Sequence, residues 1–223
     1  MTRTRVLLTA IFMTALSLSG GTLDSRLEQN GYIDVTTVSP RIIVSLMYAR
    51  DDNFTGKLLY TPDLLTRAYL HSDAAKALGK AQAILDSLAP GTRLLVKDAA
   101  RPMAVQRRMF DAVKGTPKAR YVANPAKGGG LHNYGIAVDI TLADSEGREL
   151  PMGTPVDHLG VEANIDREEE LVRRGVISET ERQNRLLLRR VMRAAGFKTI
   201  RTEWWHFNLL PLREARLRYP LIQ

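Results

Sequence analysis

The eight residues "GIAVDITL" (135–142) constrain the fold of this chain more than any other stretch. Ile136, Val138, Ile140 and Leu142 alternate with Ala137, Asp139 and Thr141, the period of two that marks a β-strand with two distinct faces. One face is apolar. The other sets a carboxylate between two small residues, which leaves room for something to approach Asp139. Three glycines and a turn precede the strand, and His132 sits in that turn, seven positions before Asp139. An ordinary surface strand accounts for this pair. So does half of a metal site, whose remaining ligands must then lie elsewhere in the chain.

Around that strand the sequence alternates helical and extended patterns irregularly. "RIIVSLMYA" (41–49) reads as a strand followed by the loop "RDDNFTGK". Residues 71–91 read as a helix capped at Ser72 or Asp73, with an apolar stripe of Leu78, Ile84, Leu85 and Leu88 and a stop at Pro90-Gly91. A short buried strand, Leu94 to Lys97, leads through Arg101-Pro102 into a second helix from about Met103 to Val113. Residues 114–130, rich in Gly, Pro and Lys, form a long loop, a feature that is often functional inside a compact domain. Residues 151–177 are polar and loop-like with one acidic helical turn. The strongest helix follows, opened by the capping box of Ser178 with Glu181 and stopped at Gly196. "FKTIRTEWWHFNLL" (197–210) supplies one or two last strands. The pattern predicts one α+β domain, residues 22–223, with a mostly antiparallel central sheet flanked by helices.

The first 21 residues differ from the rest. Arg3 and Arg5 precede an apolar run from Val6 to about Leu18, then small residues. That is the layout of a secretory signal, and the run is shorter than the roughly 20 residues of a membrane span. The sequence therefore predicts an exported, periplasmic or otherwise extracytoplasmic protein with no stable membrane insertion after cleavage. The chain has no cysteine, which excludes disulfides, thiolate metal ligands and lipid attachment through cysteine. Its 32 Lys and Arg exceed its 24 Asp and Glu, but the basic residues are scattered over helical segments. A solvated basic surface is expected, not a nucleic-acid site.

"TEWWHF" changes the weight of the first pair, because it adds Glu203 and His206. Catalytic zinc takes three protein ligands and keeps one position for water, whose proton a nearby carboxylate accepts. His132, Asp139 and His206 would be the ligands and Glu203 the base. In a regular strand Glu203 and His206 point to opposite faces, so this reading predicts a bulge or bend at Trp204-Trp205. The competing reading is an aromatic edge strand that fills the core, with both polar residues incidental. Arg101, at the end of a predicted strand, would donate to a developing oxyanion, or is a solvated loop arginine.

Taken in order, the motifs resemble one family. "HNYGIAVD" followed some sixty residues later by "EWWH" is similar to the zinc D-Ala-D-Ala peptidases of the M15 type. "YARDDNFTGK" (48–57), "DAARP" (98–102), "ELPMGTPVD" (149–157) and "EWWHF" (203–207) resemble the dipeptidase branch, the vancomycin-resistance-type D-alanyl-D-alanine dipeptidases. The resemblance implies one zinc ion on His132, Asp139 and His206, with Glu203 as base and later acid and Arg101 polarising the scissile carbonyl. It also implies that Tyr48 and Asp157 line a small pocket and receive the ammonium of the substrate dipeptide. The M15 peptidase fold is implied too. Where the family has a serine, two places before the first histidine, this chain has Gly130. Backbone N–H groups of "GGGL" would then have to replace the hydroxyl, or the substrate would differ.

Three functions compete on this basis: a zinc dipeptidase cleaving D-Ala-D-Ala, a D,D-carboxypeptidase or related stem-peptide peptidase, and a zinc-stabilised cell-wall binding module without turnover. A closed pocket for two residues favours the first and an open groove the second. The third requires Glu203 or Arg101 to be out of place.

Overall fold

The structure is a computed structural model and describes residues 22–223; the predicted leader, residues 1–21, lies outside the described residues. In chain order the elements are α1 (Leu23–Gln29), β1 (Tyr32–Asp34), β2 (Ile43–Val44), β3 (Tyr69–His71), α2 (Ser72–Leu88), β4 (Arg93–Asp98) and α3 (Met103–Val113). There follow β5 (Ala137–Ala143), α4 (Glu168–Arg173), α5 (Glu179–Ala194), β6 (Lys198–Thr199), β7 (His206–Asn208) and α6 (Leu212–Arg218). The main sheet runs β2-β4-β5-β7-β6. Only the β2–β4 pairing is parallel; the others are antiparallel. β1 and β3 form a separate antiparallel ribbon. The α+β class with a mostly antiparallel sheet is as the patterning predicts.

The central strand shows why. Val138, Ile140 and Leu142 join one core with Leu78 and Leu85 of α2 and Leu188, Val191 and Met192 of α5. Burying a side chain of this size is worth about 1.5–3 kcal/mol, so this row fixes the helices over the sheet. The other face is not a solvent face. All seven residues of β5 are buried, Asp139 and Thr141 included, because loops cover the carboxylate side and enclose the site.

Local signals hold with some shifts. Ser178 Oγ accepts the Glu181 N–H at 3.2 Å and Glu181 Oε2 accepts the Ser178 N–H at 2.6 Å, the expected reciprocal cap. The cap of α2 lies one residue earlier than the predicted Ser72, at His71, whose ring accepts the Asp73 N–H at 3.3 Å. Leu88 is exposed, and Ala74, Ala75, Ala81 and Gln82 complete the buried face instead. The strand expected over 41–49 contracts to two residues and a 3-10 turn, Met47–Ala49. That turn carries Tyr48 inward, its carbonyl accepting from the Leu59 and Tyr60 N–H groups at 2.9 Å each. No helix among the described residues is long and apolar enough to cross a membrane.

Candidate active site

A β-bulge aligns the site. Val96 of β4 faces Ile140 of β5, but the next paired residue, Asp98, faces Asp139, so Lys97 is extra. Past the bulge Asp98, Asp139 and His206 stand opposite one another across β4, β5 and β7. Directly opposed residues put their side chains on one face. His132 reaches this row from the 3-10 turn Leu131–Tyr134. That turn closes through Gly135 at φ +65°, where a Cβ would lie 2.4 Å from Tyr32 Cε1; only glycine fits.

Three hydrogen bonds pin the turn to the end of β4. The Arg101 N–H donates to the His132 carbonyl at 3.0 Å, Asn133 Nδ2 donates to the Arg101 carbonyl at 2.8 Å, and His132 Nδ1 lies 2.8 Å from the Ala99 carbonyl. A carbonyl only accepts, so Nδ1 carries the proton and Nε2 turns a lone pair inward.

That lone pair meets two more. His132 Nε2 is 3.2 Å from His206 Nδ1 and 3.3 Å from Asp139 Oδ1, and the last two atoms are 3.1 Å apart. Ligands 2.0–2.1 Å from a tetrahedral zinc ion stand about 3.3 Å from each other. The triangle has that size, all three residues are buried, and its nitrogen and oxygen donors suit zinc. Burial raises the Asp139 carboxyl, but the His132 and His206 rings outweigh it and hold the group well below the usual carboxylate range.

The bend expected at the tryptophans is present. Trp204 and Trp205 form a turn before β7 and are buried, with Trp204 Nε1 donating to Thr154 Oγ1 at 2.8 Å. Glu203 therefore returns to the side of His206, its Oε2 3.9 Å from Nδ1. Burial pushes the Glu203 carboxyl up to about 7; His206 opposes the shift, while Asp139 and Asp157 add to it.

Arg101 is not a solvated loop arginine. Its Nε and Nη2 donate to Asp98 Oδ2 at 2.9 and 2.5 Å, and Nη1 donates to Gln106 Oε1 at 3.0 Å. Asp98 is itself fixed by the Tyr60 hydroxyl, which donates at 2.7 Å. Three of the five guanidinium N–H groups are thus spent on anchoring, and Nη2 lies 3.7 Å from Asp139 Oδ2. The guanidinium also rests over the Tyr48 ring, 5.3 Å from its centre.

Tyr48 donates to Asp157 Oδ2 at 2.5 Å. Burial, helped by Asp139 and opposed by that hydrogen bond, pushes the Asp157 carboxyl up to about 7. Asp157 is the sole non-glycine with positive φ, +67°, among the described residues. The loop holding it is tied down by Arg185 of α5. This buried guanidinium donates to the Met152 carbonyl at 2.7 Å and the Glu162 carbonyl at 3.0 Å, and it lies 5.4 Å over the Trp204 ring.

All seven residues singled out in the sequence line one cavity of about 250 Å³. Sequence reasoning missed Asp98, Gln106, Asn133 and Arg185. The clue to Asp98 was its place three residues before Arg101 in "DAARP"; nothing in the local sequence marks Arg185. Within "GGGL" the Gly130 N–H is committed to Asn133 Oδ1 at 2.8 Å and the Gly129 N–H to the Asn124 carbonyl at 3.3 Å, so neither of these two is free to replace a serine hydroxyl.

A small cavity that gathers buried ionisable side chains beside the central strand of an α+β sheet has the layout of an enzyme's active site, and the family match makes the class that of a peptidase. The Peptidase M15 family model, described as D-ala-D-ala dipeptidase, matches residues 28–217, and the chain belongs to that family. It is 34% identical over 190 residues to the D-alanyl-D-alanine dipeptidase of Escherichia coli (strain K12), covering 85% of this chain and 88% of that protein. Identity to the D-alanyl-D-alanine dipeptidase of Synechocystis sp. is 30% over 62% of this chain and 68% of the relative. The Enterococcus faecalis protein of the same name is 27% identical over 82% and 93%.

Proposed function

We propose that this chain hydrolyses the D-alanyl-D-alanine dipeptide in a zinc-dependent reaction, with one ion held by His132, Asp139 and His206. The donor triangle with edges of 3.1–3.3 Å carries the proposal, and the names of the relatives supply the substrate. A bound zinc ion supplies Lewis acidity, which lowers the pKa of water to about 7. Glu203 takes the proton of the attacking water and later hands it to the departing amine, as the new C–O bond forms and the peptide C–N bond breaks. Arg101 presents its two uncommitted N–H groups to the carbonyl oxygen as charge builds there; one such donor is worth about 3–4 kcal/mol. Tyr48 and Asp157 take the substrate ammonium at the far end of the cavity.

Size favours a dipeptide over a longer stem peptide. The cavity of about 250 Å³ falls below the roughly 300–1,000 Å³ of pockets for drug-sized ligands. Export through residues 1–21 places the enzyme where wall-derived dipeptides are salvaged; finding the mature chain in the cytoplasmic fraction would refute that address. The central test incubates purified protein, with and without chelator, with D-Ala-D-Ala, L-Ala-L-Ala and a stem pentapeptide. Chelator-sensitive release of D-alanine from the first substrate alone is expected. Preferential cleavage of the pentapeptide would assign a carboxypeptidase instead.

A further inference from the structure

A free dipeptide carries a carboxylate as well as an ammonium, and the catalytic cavity is unevenly equipped for the two. Asp139, Asp157 and Glu203 line it, whereas Arg101 is the one lysine or arginine among its described lining residues. That arginine is committed to Asp98 and Gln106 and, on the reading above, to the scissile carbonyl. The substrate carboxylate therefore needs another donor. Two phenolic hydroxyls reach the cavity. Tyr48 gives its hydrogen to Asp157. Tyr121 keeps its own: the oxygen accepts from Arg120 Nη2 at 3.1 Å, and no acceptor for the hydrogen stands among the described residues. The exposed Arg120 guanidinium also rests over the Tyr121 ring, 4.9 Å from its centre. A hydroxyl whose oxygen accepts from a cation is polarised into a stronger donor.

The wall that carries Tyr121 is anchored on both sides. The 3-10 turn Pro117–Tyr121 is capped by Thr116, whose Oγ1 accepts the Lys118 N–H at 3.2 Å. Just beyond it, the Ala123 carbonyl accepts from Gln106 Nε2 at 2.8 Å, and Gln106 Oε1 accepts from Arg101 Nη1 at 3.0 Å. One side chain thus ties this wall to the arginine of the site. Ala123 in turn lies against Gly130. The φ of −113° at Gly130 suits any residue, but a Cβ there would stand 3.0 Å from Ala123 Cβ. Glycine at 130 is therefore a matter of room, since a side chain would have to push the 121–123 segment aside.

We infer that the Tyr121 hydroxyl, backed by Arg120, receives the C-terminal carboxylate of the dipeptide. This rests on the reading above, in which the chain hydrolyses D-Ala-D-Ala with the ammonium at Tyr48 and Asp157. A hydrogen bond to a carboxylate is charge-assisted and stronger than one to a neutral oxygen. Only a substrate with a free C-terminus makes it, so Tyr121 selects the acid over the corresponding amide. Arg120 reaches solvent, so its share of the attraction is screened by salt.

The test compares zinc-loaded wild type, Tyr121→Phe and Arg120→Ala on D-Ala-D-Ala and on its C-terminal amide, following D-alanine from the first and D-alaninamide from the second. Wild type should favour the acid by about tenfold or more in kcat/KM. Tyr121→Phe keeps the ring and should raise KM for the acid about tenfold, while the amide shifts far less. Arg120→Ala should act in the same direction, more weakly and least at high salt. Calorimetric titration of D-Ala-D-Ala into Glu203→Ala, with and without Tyr121→Phe, should show the same ratio in Kd without turnover. A Tyr121→Phe enzyme that loses equally on acid and amide, or on neither, overturns the inference. So does a wild type that treats the two substrates alike. Wild type inactive on D-Ala-D-Ala itself would instead overturn the functional reading on which this one stands.

Discussion

Glu203 and Asp98 do different work in the site, and their replacement should fail in different ways. Under the proposed mechanism Glu203 would meet the attacking water without being a metal ligand, so Glu203→Ala should keep its zinc and lose about 10²–10⁴ in kcat. Metal content by mass spectrometry and turnover on D-Ala-D-Ala separate the two quantities; unchanged turnover would remove Glu203 from the mechanism. Asp98 touches no substrate, yet it holds Arg101 at two nitrogens. Asp98→Ala strands a buried guanidinium, at a cost of about 3–5 kcal/mol, and should lower both the melting temperature and kcat. An Asp98→Ala enzyme of normal stability would show that Arg101 finds another anchor. The ligand-capable residues were legible in the sequence because histidines are few and strand periodicity sets Asp139 apart. Asp98 and Asn133 were not, since their work is to position neighbours through contacts that no local pattern encodes.

Among the elements, α5 links stability to the site. Its capping box was readable directly, because both partners lie within one turn of chain. Its buried arginine was not: Arg185 bonds carbonyls 33 and 23 residues away, and helical periodicity carries no trace of them. The two features predict different phenotypes. Ser178→Ala loses one cap, about 1 kcal/mol, and should lower the melting temperature by about 2–4 °C with kcat and KM unchanged. Arg185→Met leaves two buried carbonyls unpaired, each worth about 1–3 kcal/mol, and frees the loop that carries Asp157, so KM for the dipeptide should rise as well. An Arg185→Met enzyme with wild-type KM would detach that loop from α5. The two terminal helices, α1 and α6, escaped the sequence reading because seven residues each are too few for a periodic signal to emerge.

For the whole molecule, the proposed zinc ion would supply a cross-link to a chain that has no cysteine and so no disulfide. A ligand that binds only the native state at a thousand times its dissociation constant adds about 4 kcal/mol, so chelation should lower the melting temperature by about 10 °C. This effect depends on pH with a definite sign. Glu203 and Asp157 both have their carboxyls raised to about 7 by burial, against about 4 in an unfolded chain. Their contribution is fully present below about pH 4 and is lost as pH rises through 7. A nearby cation favours the ionised carboxylates and offsets that loss. The gap in melting temperature between zinc-loaded and chelated protein should therefore widen from pH 5 to pH 8, as scanning calorimetry would record; a constant gap would mean that neither carboxyl is perturbed.

The alignment of Asp98, Asp139 and His206 across three neighbouring strands ties chemistry to correct assembly. Because side chains alternate along a strand, deleting one residue between Ala137 and Asp139 would turn the aspartate toward the helices while leaving the composition almost untouched. Such a chain would keep the residues of the site but could not bring their three donor atoms together. On the proposed reading, zinc uptake would certify that each copy has paired its strands without slipping, and slipped copies would be excluded from turnover by the same geometry that would make the native ones active.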